Sequence, residues 1–226
     1  LMMEILQTYT RGHLITKGST LAIGNFDGLH LGHKSILKVA QNVSLSPKVG
    51  VLTFEPHPRE FFGKSSAAFR LMSAKSRRHY LEKVGIKILI ELPFDNKISK
   101  LSAEKFCELI LKNSLQVSHV VVGADFKFGK GRDGTTQTLH ECGSRFDFKV
   151  TIAPVIKSGK YEISSTAIRL ALSEGRTEDA KNMLGHWHSI DGVVIHGEKR
   201  GRTLGFPTIN LSLDGLHLPK YGIYST

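Results

Sequence analysis

The stretch "GNFDGLHLGH", residues 24–33, follows the short apolar run 19–23 and precedes Ile36, Leu37, Val39, Ala40 and Val43 at helical spacing. A strand, a Gly-rich turn and a helix in that order are the first unit of a parallel α/β sheet. Glycines in the turn let the backbone approach a ligand, and the N-terminus of the following helix favours an anion. His30 and His33, three residues apart, then have three readings: metal ligands, structural histidines, or hydrogen-bond donors to a phosphate group. A metal needs a third ligand, and no neighbouring carboxylate or histidine motif supplies one. Phosphate chemistry explains the glycines as well as the histidines.

Outward from this unit, strands and helices alternate as far as residue 150. Residues 48–54 ("KVGVLTF") read as a strand stopped by the prolines of "EPHP". A basic helix over 75–84 leads through Gly85 into the strand 86–92, and Ser102 N-caps a helix "AEKFCELILKN" with Glu104 in its first turn. "SHVVVG" and "FDFKVTIAP" supply further strands. The expected fold is therefore α/β, a doubly wound parallel sheet in which ligands bind at the carboxyl ends of the strands. Residues 25–33, 55–58 and 124–131 all follow strands and should converge on one cleft. After a helical stretch at 177–184 the texture becomes rich in Gly, Thr and β-branched residues without helical period. This predicts a boundary between domains 1–184 and 185–226, the second being the start of a small β-barrel within which the chain stops.

Composition narrows the function. Of the 226 residues, 40% are apolar and 23% charged, as in a globular protein with a core. No apolar run approaches bilayer length, and the N-terminal residues lack the pattern of a signal peptide, so a cytoplasmic location is expected. Cys107 and Cys142 form no CxxC pair, which argues against a thiolate zinc site; Cys107 reads as a core thiol. The net charge of +11 suits either nucleic acid or small polyphosphates. Lys and Arg are scattered rather than massed, with no zinc-finger or RNP-like motif, which favours the polyphosphates.

"ISSTAIR", residues 163–169, offers Ser164, Ser165, Thr166 and Arg169 around a helix start. These are either a cap with a solvent-facing arginine or a second phosphate clamp. Taken with "GNFDGLHLGH", the segment resembles the HxGH-type nucleotidyltransferases. "TFEPHP" (residues 53–58), "GADFKFGKGRDG" (123–134) and "GRTLGFPTIN" (201–210) narrow the resemblance to the bacterial bifunctional riboflavin kinase/FAD synthetases. The motifs are ordered along almost the whole chain.

The resemblance implies transfer of AMP from ATP to FMN, giving FAD and pyrophosphate, with Mg2+ carried on the ATP phosphates. It implies that His30, His33 and Arg169 are catalytic, and that Gly24, Phe26, Asp27, Ser164, Ser165 and Thr166 complete the ATP site. Phe54, Pro56, His57, Pro58, Asp125, Phe126 and Phe128 would line the flavin side, although the phenylalanines read equally as core. In the second module, Gly197, Gly201 and Gly205 would form the ATP-side loops, and Thr208 and Asn210 would meet Mg2+. The family's kinase carboxylate should lie downstream of Thr226, so riboflavin phosphorylation is not expected of these residues alone. The alternatives are an HxGH transferase for another phosphorylated acceptor, or a basic nucleic-acid-binding module with an inactive transferase fold.

Overall fold

The computed structural model describes residues 2–9, 14–63, 68–158, 161–197, 205–206, 208–213 and 215–225. Its central sheet is built from β1 (Glu4–Leu6), β2 (Thr20–Ile23), β3 (Val49–Glu55), β4 (Ile88–Pro93), β5 (His119–Gly123) and β6 (Lys149–Ala153). The strands are all parallel and lie in the order β1–β4–β3–β2–β5–β6. Thr20 pairs with Val49 on one side and with His119 on the other.

Alternation along the strands builds two cores. Leu21, Ile23, Leu52 and Ile90 face one layer with Phe106, Ile110 and Leu111. Ala22, Val51, Leu89 and Val121 face the other, with Leu37 and Ala40 of α1 (Leu31–Val43) and Leu81, which follows the short α2 (Pro58–Phe61) on α3 (Ala74–Lys83). Because both faces are covered, the strands are continuous apolar runs rather than amphipathic ones.

The helix expected from Ser102 begins as predicted, with the Ser102 hydroxyl accepting from Lys105 N. It makes one α-helical turn, α4 (Ala103–Phe106), and then widens into a π-helix over Cys107–Ser114. The wider turn buries Cys107, Ile110, Leu111 and Ser114 together, and Leu115 N donates back to Ile110 O at 2.9 Å. Cys107 is in the core, as expected, beside Cys142 of α5 (Thr136–Phe146), and both are free thiols. The edge strand β1 has no counterpart in the sequence reading, because three residues are too few to show a period. The same is true of the hairpin β7 (Lys157–Ser158) and β8 (Tyr161–Glu162).

Helices α6 (Ser165–Ser173) and α7 (Thr177–Leu184) bury Ile168, Ala171, Leu172, Ala180 and Leu184 around Leu71, forming a third core. Beyond them, β9 (Val193–Ile195) pairs antiparallel with β10 (Asn210–Ser212), so the change of texture after residue 184 corresponds to a change from parallel to antiparallel pairing.

The chain leaves β2 through α1 to reach β3 on one side, while β5 pairs with the other side of β2. This reversal makes the carboxyl ends of β2 and β5 the topological switch point, the position at which doubly wound sheets take their ligands. Residues 24–30, 56–57 and 124–129 follow β2, β3 and β5 at that edge.

Candidate active site

The loop after β2 is held by the sheet at one end and by a buried ring at the other. Gly24 N donates to Leu52 O at 3.1 Å, and the Thr53 hydroxyl donates to Asn25 O at 3.2 Å. Phe26 is fully buried, so its side chain anchors the loop and only its backbone can face a ligand. Phe26, Gly28 and Leu29 have φ of 52°, 83° and 41°. Three left-handed residues within four make a tight, strained turn, and strain of this kind concentrates at ligand sites. Gly28 cannot be replaced cheaply: a Cβ there would lie 2.8 Å from Leu71 Cδ1.

His30 ends the turn and N-caps α1, its Nδ1 accepting from His33 N at 3.2 Å. A ring whose Nδ1 accepts must carry its proton on Nε2 when neutral. The two imidazoles stack with centroids 3.6 Å apart, and Phe26 lies 5.1 Å from His33. Burial and the Arg169 charge bring His30 down to about 4, and burial with His30 beside it holds His33 well below the usual range. Both rings are therefore neutral near pH 7. His33 Nδ1, in the first turn of α1, is buried without a partner among the described residues.

Asp27 is the buckle of the site. Its Oδ1 accepts from Leu71 N at 2.8 Å and Met72 N at 3.3 Å, and its Oδ2 pairs with the Arg169 guanidinium. Burial pushes its carboxyl up against the pull of Arg169 and the two amides. Arg169 also donates through Nε to Phe69 O and lies over the Phe69 ring at 5.2 Å, leaving Nη1 without a partner among the described residues. Asp27 is thus committed to holding Arg169 and the chain at 69–72, not to a ligand.

The residues of "ISSTAIR" divide their tasks. Ser164 N-caps α6, its hydroxyl accepting from Ala167 N at 3.2 Å. The Ser165 hydroxyl donates to Asp27 O at 3.0 Å, which joins the start of α6 to the loop before α1. Thr166 is exposed. The solvent-facing alternative for Arg169 fails, since its side chain is only 14% exposed.

Of the residues expected to face a flavin, Phe54 is half-buried and meets Phe94 at 5.4 Å and Phe106 at 6.2 Å. Pro56 is exposed and follows a cis peptide bond. His57 is buried and caps α2 with Glu60 in a reciprocal box, and Pro58 is the first residue of that helix. Burial and the Arg70 charge bring His57 down to about 3. Phe126 stacks on Phe128 at 5.3 Å; Phe128 is buried core, Phe126 is half-buried and Asp125 is exposed. His57 packs edge-on against Phe69 at 4.9 Å, the ring beneath Arg169, so the two halves of the site share one aromatic.

Several residues here escaped the sequence reading. Phe94, which follows β4, collects Phe54, Phe61 and Phe62 around itself. Arg70 bonds Glu55 at 2.7 and 3.1 Å and also grips Glu60. Arg77 bridges Glu55 at 2.9 Å and the buried Glu91 at 3.2 Å, and Arg78 adds to Glu91. The available signal was an acid within each of two apolar strands beside the basic run "KSRRH", since a buried acid needs a partner.

In the second module, Gly197 lies against the exposed side chain of Asn210, whose Nδ2 would be 2.1 Å from a Cβ at Gly197. Gly205 has φ 81° and is exposed, as is Thr208, while Gly201 lies outside the described residues. Among the described residues no three His, Cys, Asp or Glu are grouped to hold a metal ion.

Comparison with known proteins adds independent findings. The FAD synthetase family model matches residues 13–167, and the riboflavin kinase model matches residues 184–226. Bifunctional riboflavin kinase/FMN adenylyltransferase from Haemophilus influenzae is 38% identical over 99% of this chain and 73% of its own length. The protein of that name from Escherichia coli is 37% identical over 92% of this chain and 67% of its own length. A crystal structure described as a macrolide-efflux protein from Streptococcus pneumoniae superposes with TM-score 0.82 at 29% identity, covering 98% of this chain and 73% of that one. Pantoate-beta-alanine ligase from Francisella tularensis, at 11% identity and TM-score 0.51 over 87% of this chain and 90% of that one, shares the fold.

Proposed function

The chain belongs to the FAD synthetase family, and on that premise we propose that it is an FMN adenylyltransferase, converting FMN and ATP to FAD and pyrophosphate. An FMN phosphate oxygen attacks the α-phosphorus of ATP. The bond from that phosphorus to the bridging oxygen of the β-phosphate breaks, and pyrophosphate departs. No covalent enzyme intermediate is required, so the residues contribute position and charge stabilisation.

The observation that carries this reading is the joining of two helix N-termini, α1 and α6, through the Ser165–Asp27 hydrogen bond beside neutral His30 and His33. Such termini favour anions. His30 donates from Nε2 to a phosphate oxygen, and His33, with its unpartnered Nδ1, takes a second contact. Arg169 meets the triphosphate and the departing pyrophosphate, with Ser164, Ser165 and Thr166 beside it. Gly24, Phe26 and Asp27 shape the ATP loop, while Phe54, Pro56, His57, Pro58, Asp125 and Phe126 form the flavin side. Phe128 supports Phe126 from the core.

Mg2+ neutralises charge on the ATP phosphates when it is bound with the nucleotide, and its demand for oxygen ligands and retained water suits that position. In the second module the hydroxyl of Thr208 and the amide oxygen of Asn210 are the hard oxygen donors that would suit Mg2+, and Gly197, Gly201 and Gly205 would supply the ATP-side loops. Riboflavin belongs to that module as substrate, and we place the boundary between domains at 184/185. Two buried free thiols suit a reducing cytoplasm. Steady-state assay with FMN, ATP and Mg2+ tests the reading: FAD and pyrophosphate should appear in equal amounts. Turnover with a phosphopantetheine or nicotinamide mononucleotide acceptor in place of FMN would contradict it.

A further inference from the structure

Residues 215–220 fall within the stretch matched by the riboflavin kinase model, yet they pack on the adenylyl-transfer half. Gly215 O accepts from Phe69 N at 3.1 Å and Arg70 N at 3.0 Å, and His217 N donates to Arg70 O at 2.8 Å. Leu216 forms a parallel bridge with Arg70 and is 4% exposed. His217 Nε2 lies 3.0 Å from Arg169 O and 3.1 Å from the Ser173 hydroxyl. A carbonyl only accepts, so that nitrogen carries the proton. Lys220 N adds a bond to Leu172 O on α6 at 2.9 Å.

The opposite side of the same chain segment builds the active site. Phe69 O receives Arg169 Nε, the amides of Leu71 and Met72 hold Asp27, and the Arg70 side chain holds Glu55 and Glu60 at the flavin-side loop. Residues 69–72 belong to no strand of the central sheet, and among the described residues their outer backbone groups are paired by residues 215–217.

We propose that residues 215–217 are a positioning clip, through which the kinase-side module fixes the pose of Arg169 and so sets the rate of adenylyl transfer. Two contacts converge on that arginine: His217 grips its backbone carbonyl, and the paired chain at 69–70 holds its guanidinium. The proposal rests on the adenylyltransferase reading above. His217 touches no substrate and acts through Arg169.

The test compares His217→Ala with His217→Gln, whose amide N–H can reach the same carbonyl, in the full chain. His217→Ala should lower kcat for FAD formation about tenfold, a misplacement effect, and leave KM for FMN within about twofold, since the side chain removed bonds Arg169 O and the Ser173 hydroxyl while the backbone bond to Arg70 remains. His217→Gln should recover most of the rate while melting at the same temperature as His217→Ala. Leu216→Ser should speed hydrogen exchange at the Phe69 and Arg70 amides, a readout independent of turnover. Unchanged kcat in His217→Ala, activity that follows melting temperature alone with no benefit from glutamine, or unchanged exchange in Leu216→Ser overturns the clip. A parent protein that makes no FAD contradicts the functional reading, and the rate-setting role falls with it. Normal FAD synthesis by both the parent and His217→Ala overturns the clip alone.

Discussion

His30 is held neutral by burial and by Arg169, and its Nδ1 is occupied by the backbone of its own helix. One proton, on Nε2, is left to offer a phosphate. Replacing His33 by Ala removes the second donor and should cost about a hundredfold or more in kcat, a few kcal/mol of transition-state stabilisation; turnover near the parent level in a folded variant would sink that role. The same protonation states govern stability. Between pH 6.5 and about 4 the unfolded chain binds a proton that folded His30 refuses, and for His57 the window runs down to about 3. Stability is therefore complete above pH 6.5 and falls as pH drops, by about 2 kcal/mol per histidine at pH 5. Urea denaturation at pH 7 and pH 5 measures this, and equal midpoints would show that the two rings are not held neutral by the fold. The sequence displayed both histidines and their spacing. It could not show that His30 caps α1, because a histidine cap has no pattern of its own.

At the scale of elements, the site depends on α1 and α6 starting side by side, and Asp27 with Arg169 ties them together. Asp27→Ala would leave a buried guanidinium uncompensated and two amides without their acceptor, a loss of about 3–5 kcal/mol in folding stability. Asp27→Asn keeps an acceptor for the amides and should lose less. A denaturation series on the two variants reads the difference, and equal losses would mean that charge plays no part. The wall proposed for the flavin has its own keystone in Phe94, which joins Phe54, Phe61 and Phe62. Phe94→Ala should raise KM for FMN several-fold with little change in KM for ATP; the reverse pattern would place the flavin elsewhere. "GNFDGLHLGH" and "ISSTAIR" announced the two helix starts, because capping residues and glycines are local signals. Phe94 and Arg70 did not announce themselves, since an apolar residue after a strand and an arginine outside any helix or central strand acquire meaning only through distant partners; Glu91 stood out as an acid in an apolar strand, but its arginine partners did not. The π-helix over Cys107–Ser114 was hidden for a related reason: its apolar spacing reads as an ordinary amphipathic helix.

For the whole molecule, the alternation of apolar strands and helices was enough to predict the doubly wound sheet, and the loss of helical period after residue 184 was enough to predict a second module. The order of strands that puts the switch point between β2 and β5 depends on pairings between distant residues, which one sequence does not display. Nor did the sequence suggest that Leu216 and His217 would dock on Phe69–Arg70, some 145 residues away. The chain carries a net charge of +11, and both proposed substrates are anions. Raising salt from about 20 to about 300 mM should therefore lower kcat/KM for both while leaving kcat nearly unchanged, because screening acts on encounter rather than on the bound geometry. A salt-independent kcat/KM would mean that the basic surface does not steer the substrates.

The central claim is direct adenylyl transfer to FMN between the two helix N-termini, and ATP labelled at the α-phosphorus tests it most directly. After incubation with FMN and Mg2+, the label should appear in FAD, unlabelled pyrophosphate should be released, and none should remain on the protein. Label retained in ATP by a folded sample, or trapped covalently on the chain, would contradict the account.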